Sequence, residues 1–169
     1  MKKLMLLSFI MLTISAVSMA QKYAFVDTEY ILSKIPSYES AQTKLDDLSK
    51  TWQAEIEAKY KVVETKYKEF QTEQYAWSAE MKKQREQEII ELENQAVQLR
   101  EKYFGDEGDL YNKRTELVKP IQDEVFNAIK TVATEGGYAM IFDKASGASL
   151  IYTDPKYDIS DEIVKKLGY

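Results

Sequence analysis

The chain has 169 residues, 30% of them charged, with 28 acidic against 23 basic side chains and neither histidine nor cysteine. Those two absences remove the commonest general base, the thiol nucleophile and the usual zinc ligands, and they exclude a disulfide framework or lipid attachment through an N-terminal cysteine. The acidic balance excludes nucleic acid as an expected partner, because a polyanion is repelled by a net-negative surface.

Residues 1–20, "MKKLMLLSFIMLTISAVSMA", place Lys2 and Lys3 ahead of an apolar run from Leu4 to Val17 and small residues at Ser18 and Ala20. That order predicts a secretory signal peptide cleaved after Ala20. The run is shorter than the roughly 20 residues that span a bilayer, which argues against a retained anchor. A soluble, exported protein follows, with the periplasm of a Gram-negative bacterium as the best-fitting compartment. Losing Lys2 and Lys3 leaves 21 basic residues against 28 acidic ones, a formal charge of −7.

The mature chain opens on "KYAFVDTEYIL". Tyr23 to Val26 is a short β-prone run, Asp27 or Thr28 caps a brief helix over Glu29 to Lys34, and Pro36 ends that helix. Ser37 or Ser40 then starts a long one. Its apolar residues, Leu45, Leu48, Trp52, Ile56, Tyr60, Val63, Tyr67, Phe70 and Trp77, recur at three-four spacing along one stripe. The steps from Leu48 to Tyr60 are all fours, a stutter that relaxes supercoiling locally. Glu55 with Lys59, Glu57 with Lys61 and Glu64 with Lys68 mark the solvated face.

A reversal is predicted at Ala76 to Ala79, with Ser78 capping a returning helix that carries Met81, Ile89, Leu92, Ala96, Leu99 and Tyr103 inward. An unbroken helix through Tyr75 is the competing reading. Beyond it, Leu110, Leu117, Ile121, Val125, Ala128 and Val132 share a face, while Gly105, Gly108 and Pro120 predict bends. Replacing both glycines by Ala is expected to stiffen this segment. Gly136 and Gly137 end the helix. Tyr138–Phe142 and Ser149–Thr153 then read as a β-hairpin turning through Gly147, and "DISDEIVKKLG" as a short capped helix.

The predicted fold is α+β and mostly α. A long antiparallel helical-hairpin (coiled-coil) arm over residues 37–135 is inserted into a small β-sheet body made of residues 21–36 and 136–169. So small a sheet has little core of its own, and burying Phe25, Val26, Met140, Ile141, Phe142, Leu150 and Ile151 is easier in an oligomer. The arm's core is also thin. Large apolar residues at its edges, Tyr60, Tyr67, Phe70, Tyr75, Trp77 and Met81, are either seam residues or contacts for apolar segments of another polypeptide. "GDEGD" at 105–109 lacks the spacing of a calcium loop and "EGGYA" that of a phosphate-binding loop, so no cofactor, no metal and no enzymatic activity are expected.

In the order of its parts the chain resembles the Skp/OmpH family of periplasmic chaperones. The match is clearest in "ELVKPIQDEVFNAIKTVATEGGYAMIFDKASGASLIYTDPKYDISDEIVKKLG" and in "KYAFVDTEYIL", which looks like the family's first strand. The resemblance implies a homotrimer whose three arms surround a cavity for unfolded outer-membrane proteins, holding them without ATP. The chain departs from the best-known members in being acidic, so membrane or lipopolysaccharide contact through a positive arm tip is not carried over. The competing function is a structural coiled-coil adaptor of the cell envelope that binds one folded partner.

Overall fold

A computed structural model describes residues 21–147 and 150–169. The predicted signal peptide therefore lies outside the described residues, as does Ser149. Two strands and five α-helices follow in order: β1 (Lys22–Val26), α1 (Thr28–Ser33), α2 (Pro36–Glu73), α3 (Ala79–Phe104), α4 (Asp109–Gly136), β2 (Tyr138–Asp143) and α5 (Ser160–Lys166). Short 3-10 turns occupy Gln74–Ala76 and Pro155–Tyr157. The fold is α+β and mostly α. No helix among the described residues is long and apolar enough to cross a membrane.

The chain forms two compact units, one of the residues up to Ile31 with Val125–Tyr169, the other of Leu32–Glu124. In the first, β1 and β2 pair parallel, with Ala24 opposite Ile141 and Phe25 opposite Phe142. A parallel pair cannot be joined by a tight turn, and here the link is the whole helical segment between Val26 and Tyr138. The far edge of β1 is closed by the last part of the chain, where the Ile159 amide donates to the Phe25 carbonyl at 2.9 Å. Ala24, Val26, Ile31, Val125, Ala128, Val132, Ile159 and Ile163 are buried. Asp27 starts α1 by accepting the Tyr30 amide at 2.9 Å on its side chain, and Gly137 leaves α4 at φ +67°.

The predicted β-hairpin is not formed. Gly147 does take a positive φ of 72°, but Leu150 to Thr153 form no strand, and the partner of β2 is β1. A parallel partner from the other end of the chain gives β2 its ladder, so the apolar run after the turn is left outside the sheet. Pro36 also acts differently from expectation. It is the first residue of α2, where a missing amide N–H costs nothing, after α1 has already ended at Ser33.

In the second unit α2 runs 38 residues without interruption. The predicted reversal is present. The 3-10 turn at Gln74–Ala76 leads to Ser78, whose hydroxyl accepts the Met81 amide at 3.2 Å and so caps α3. Trp52 near the base of α2 stacks on Tyr103 at the end of α3, with centroids 4.8 Å apart and planes 8° from parallel. Phe70 meets Trp77 at the other end. These contacts fix α2 and α3 as an antiparallel pair, with Ile56, Val63, Ile89 and Ala96 buried in its seam.

The glycines that separate α3 from α4 are there for space. Gly105 has φ −64° and ψ 170°, open to any residue, but a Cβ on it would lie 2.5 Å from the Glu101 carbonyl oxygen. A Cβ on Gly108 would lie 2.9 Å from the Gly105 nitrogen and 3.0 Å from the Lys102 carbonyl oxygen. The expectation that Ala would simply stiffen the segment is thereby corrected. Gly108→Ala should force the backbone apart and destabilise this unit by about 1–3 kcal/mol, a loss to be read in urea from Trp52, which packs on the adjoining Tyr103 and Phe104.

Candidate functional site

The α2–α3 hairpin presents two unlike flanks on either side of its seam. On one, Lys66, Glu69 and Glu73 of α2 face Arg85 and Glu88 of α3 around a small cavity against Phe70, Trp77 and Ile89. Ion pairs line that flank along each helix, Lys66 to Glu69 at 3.0 Å on α2 and Arg85 to Glu88 at 2.8 Å on α3. The Arg85 guanidinium lies 6.0 Å from the centre of the Trp77 ring. Each helical step turns by about 100°, so Tyr67 points away from the flank that Lys66 occupies.

Tyr60 and Tyr67, seven residues apart, form the other flank and are exposed, Tyr67 by 52%. Between them Lys68 donates to Glu64, and that hydrogen bond together with the ammonium charge holds the Glu64 carboxyl below its usual range. The pair keeps the surface wet and locally neutral without covering either ring. Tyr75, in the turn, is 86% exposed, and Met81 in the first turn of α3 is exposed as well.

Of the predicted arm contacts, Tyr60, Tyr67, Tyr75 and Met81 thus lie open, whereas Phe70 and Trp77 are half-buried against each other, ring centroids 5.6 Å apart. The division follows from the seven-residue line Ile56, Val63, Phe70, which α3 covers, with Trp77 beyond the turn folded back onto Phe70. The parallel line through Tyr60 and Tyr67 falls one step outside a two-helix seam. Val62, Ile90 and Val97 are also exposed and stood outside the predicted set. Ile90 and Val97 repeat at seven residues, a signal readable beside the main stripe.

Among the residues predicted to join subunits, Val26 is buried and Phe25 and Ile141 are half-buried. Met140, Phe142 and Leu150 are exposed and Ile151 is entirely so. Val26 therefore belongs to the chain's own core. On β2 the amide of Lys144, just past the strand, reaches the Val26 carbonyl, which turns the backbone groups of Ala139 and Ile141 to the edge away from β1, where no strand pairs among the described residues, while the Asp143 carbonyl on that side accepts the Ser146 hydroxyl at 2.8 Å. An apolar six-residue strand with a free edge is a ready template for another strand. No group of residues able to hold a metal ion occurs among the described residues.

A family model for OmpH-like outer membrane proteins matches residues 22–167. A protein of Aquifex aeolicus (strain VF5) is 28% identical over 158 residues, covering 94% of this chain and 93% of its own. The chaperone protein Skp of Yersinia enterocolitica is 26% identical over 160 residues, 92% of each chain. The fold is similar to the crystal structure of an OmpH-like outer membrane chaperone from Caulobacter crescentus CB15, with a TM-score of 0.66 and 11% identity over 87% of this chain and 83% of that one. With its model matched from β1 through α5, this chain belongs to the OmpH-like (Skp) family.

Proposed function

We propose that the protein is a periplasmic chaperone for outer-membrane proteins, acting as an ATP-independent holdase. The observation that carries this reading is the row of open tyrosines on one flank of the hairpin, Tyr60 and Tyr67 with Tyr75 at its tip, beside a flank closed by ion pairs. Tyrosine suits weak, unspecific capture, since it offers a large apolar face and a hydroxyl that tolerates water. The Yersinia relative is named a chaperone, and the match covers most of this chain. Residues 1–20 supply the export signal on this reading.

The same reading assembles three copies through the β1–β2 unit, so that three hairpin arms enclose a cavity for an unfolded client. The free edge of β2 and the exposed Met140, Phe142, Leu150 and Ile151 support it, and three arms would bind by avidity what one holds weakly. Dilution of a urea-unfolded outer-membrane barrel protein into buffer containing the mature protein tests the function, with sedimentation equilibrium of the protein alone beside it. Aggregation should be suppressed at stoichiometric trimer. Undiminished aggregation sinks the holdase, and capture of one folded partner instead would make the arm a structural adaptor. A monomer in sedimentation removes the cavity.

A further inference from the structure

Where β1, β2 and α5 meet, four carboxylates gather around one ammonium, that of Lys144, and two of them, Asp158 and Asp27, pair with it. Asp158 stands just before α5 and accepts three hydrogen bonds, from Lys144 Nζ at 2.6 Å, from the Ser160 amide at 3.0 Å and from Ser160 Oγ at 2.6 Å. Ser160 is buried, and its Oγ in turn accepts the Asp27 amide at 2.8 Å. Asp143, at the end of β2, receives the Thr28 amide at 3.2 Å, Thr28 Oγ1 at 2.8 Å and the Ala145 amide at 3.0 Å. Asp161 accepts the Tyr30 hydroxyl at 2.7 Å. Lys144 has Asp27 as its second counter-ion, at 3.9 Å.

Every one of these bonds joins the first strand and helix to residues beyond Tyr138, or braces a group that does. The apolar core beneath them is made of small side chains, Ala24, Val26, Val125, Ala128 and Val132 with three isoleucines. The hairpin unit is held differently. Its seam is aliphatic and aromatic, and its ion pairs, such as Glu64 with Lys68, lie on exposed surface where they contribute little.

We propose that this cluster is an acid-sensitive latch: protonating Asp158 releases the unit built on β1, β2 and α5 while the helical hairpin stays folded. The release does not depend on the chaperone reading. A protonated Asp158 keeps one acceptor oxygen but loses the charge that holds Lys144, and the buried Ser160 hydroxyl loses the partner that orients it toward the Asp27 amide. Asp27 lies on the same ammonium, and relieving its repulsion with Asp158 works the other way. Burial pushes the Asp158 carboxyl up, yet the bonds from Lys144 and Ser160 outweigh it and leave the group below the ordinary aspartate value of 3.8. Its contribution is therefore complete above that value and lost as pH falls through the lower folded one. Lys144 is raised above 10.5, chiefly by its bond to Asp158, so its contribution is retained through neutrality and lost only in alkali.

Both tryptophans, Trp52 and Trp77, lie in the hairpin unit, which gives the two units separate probes. The experiment follows amide exchange of the full mature protein, corrected for intrinsic rates, with tryptophan fluorescence, from neutral pH to about pH 2. Amides of Phe142, Lys144, Ile159 and Ile163 should lose protection while the fluorescence is unchanged. Asp158→Asn should expose the same amides about tenfold more at neutral pH, the order expected for losing a charge-assisted hydrogen bond, and flatten their dependence on acid. If that variant does not fold, Ser160→Ala serves, leaving Asp158 without its hydroxyl donor. One concerted acid transition in both probes, or a variant with the wild-type acid profile, overturns the latch.

Discussion

Ile163→Ala should be the most damaging single truncation in the unit that holds the chain's ends, at a cost of about 2–5 kcal/mol. Ile163 is fully buried, and α5 has only seven residues, Ser160–Lys166, too few to persist without packing. Its side chain is one of the few large ones in a core of alanines and valines, so neighbours of that size cannot collapse to fill the void. Exchange protection of Ile159–Ile163 and of β1 should fall together in urea, while the fluorescence transition of Trp52 and Trp77 keeps its midpoint. Lys166→Ala removes only the exposed pair with Glu135, at 2.9 Å, and should change stability by less than about 1 kcal/mol. Equal effects of the two substitutions would mean that this core contributes nothing.

Converting Tyr60, Tyr67 and Tyr75 together to Ser should abolish most client holding and leave the hairpin folded. The rings are exposed, so their loss opens no cavity, and each client contact forfeits about 0.5–1.5 kcal/mol. Together they should raise the concentration for half-suppression of aggregation by roughly tenfold or more. Phe70→Ala with Trp77→Ala is the opposite case. Those rings pack on each other, and removing them should destabilise the hairpin by about 1–3 kcal/mol whatever happens to client binding. Full holding by the triple tyrosine variant would place the contact elsewhere, with Ile90 and Val97 the next surface to test.

The helical part of the fold was legible because it is written locally. Ser78 as a cap, the break at Gly105 and Gly108 and the exit at Gly137 all depend on residues within one turn of the feature. The sheet was not, because strand pairing is chosen by long-range partners. "YAMIFD" and the apolar residues after Gly147 satisfy every local rule for a hairpin, yet β2 aligns with β1 and leaves Ile151 wholly in solvent. The candidate site fell between these cases. Periodicity found the stripe that includes Tyr60 and Tyr67 but could not say how much of it one returning helix covers.

The parallel pairing of β1 with β2 also sets an order of events in folding. Phe25 cannot meet Phe142 until the chain has been made past β2, and the loop to be closed is the whole helical segment. Closing so long a loop in an unstructured chain is entropically unfavourable and slow. The hairpin forms without waiting, and once formed it shortens the flexible part of the loop. Chains stopped before Tyr138 should therefore carry a folded hairpin with a dangling first strand, and pairing of β1 becomes a step that only chains extended through β2 can take.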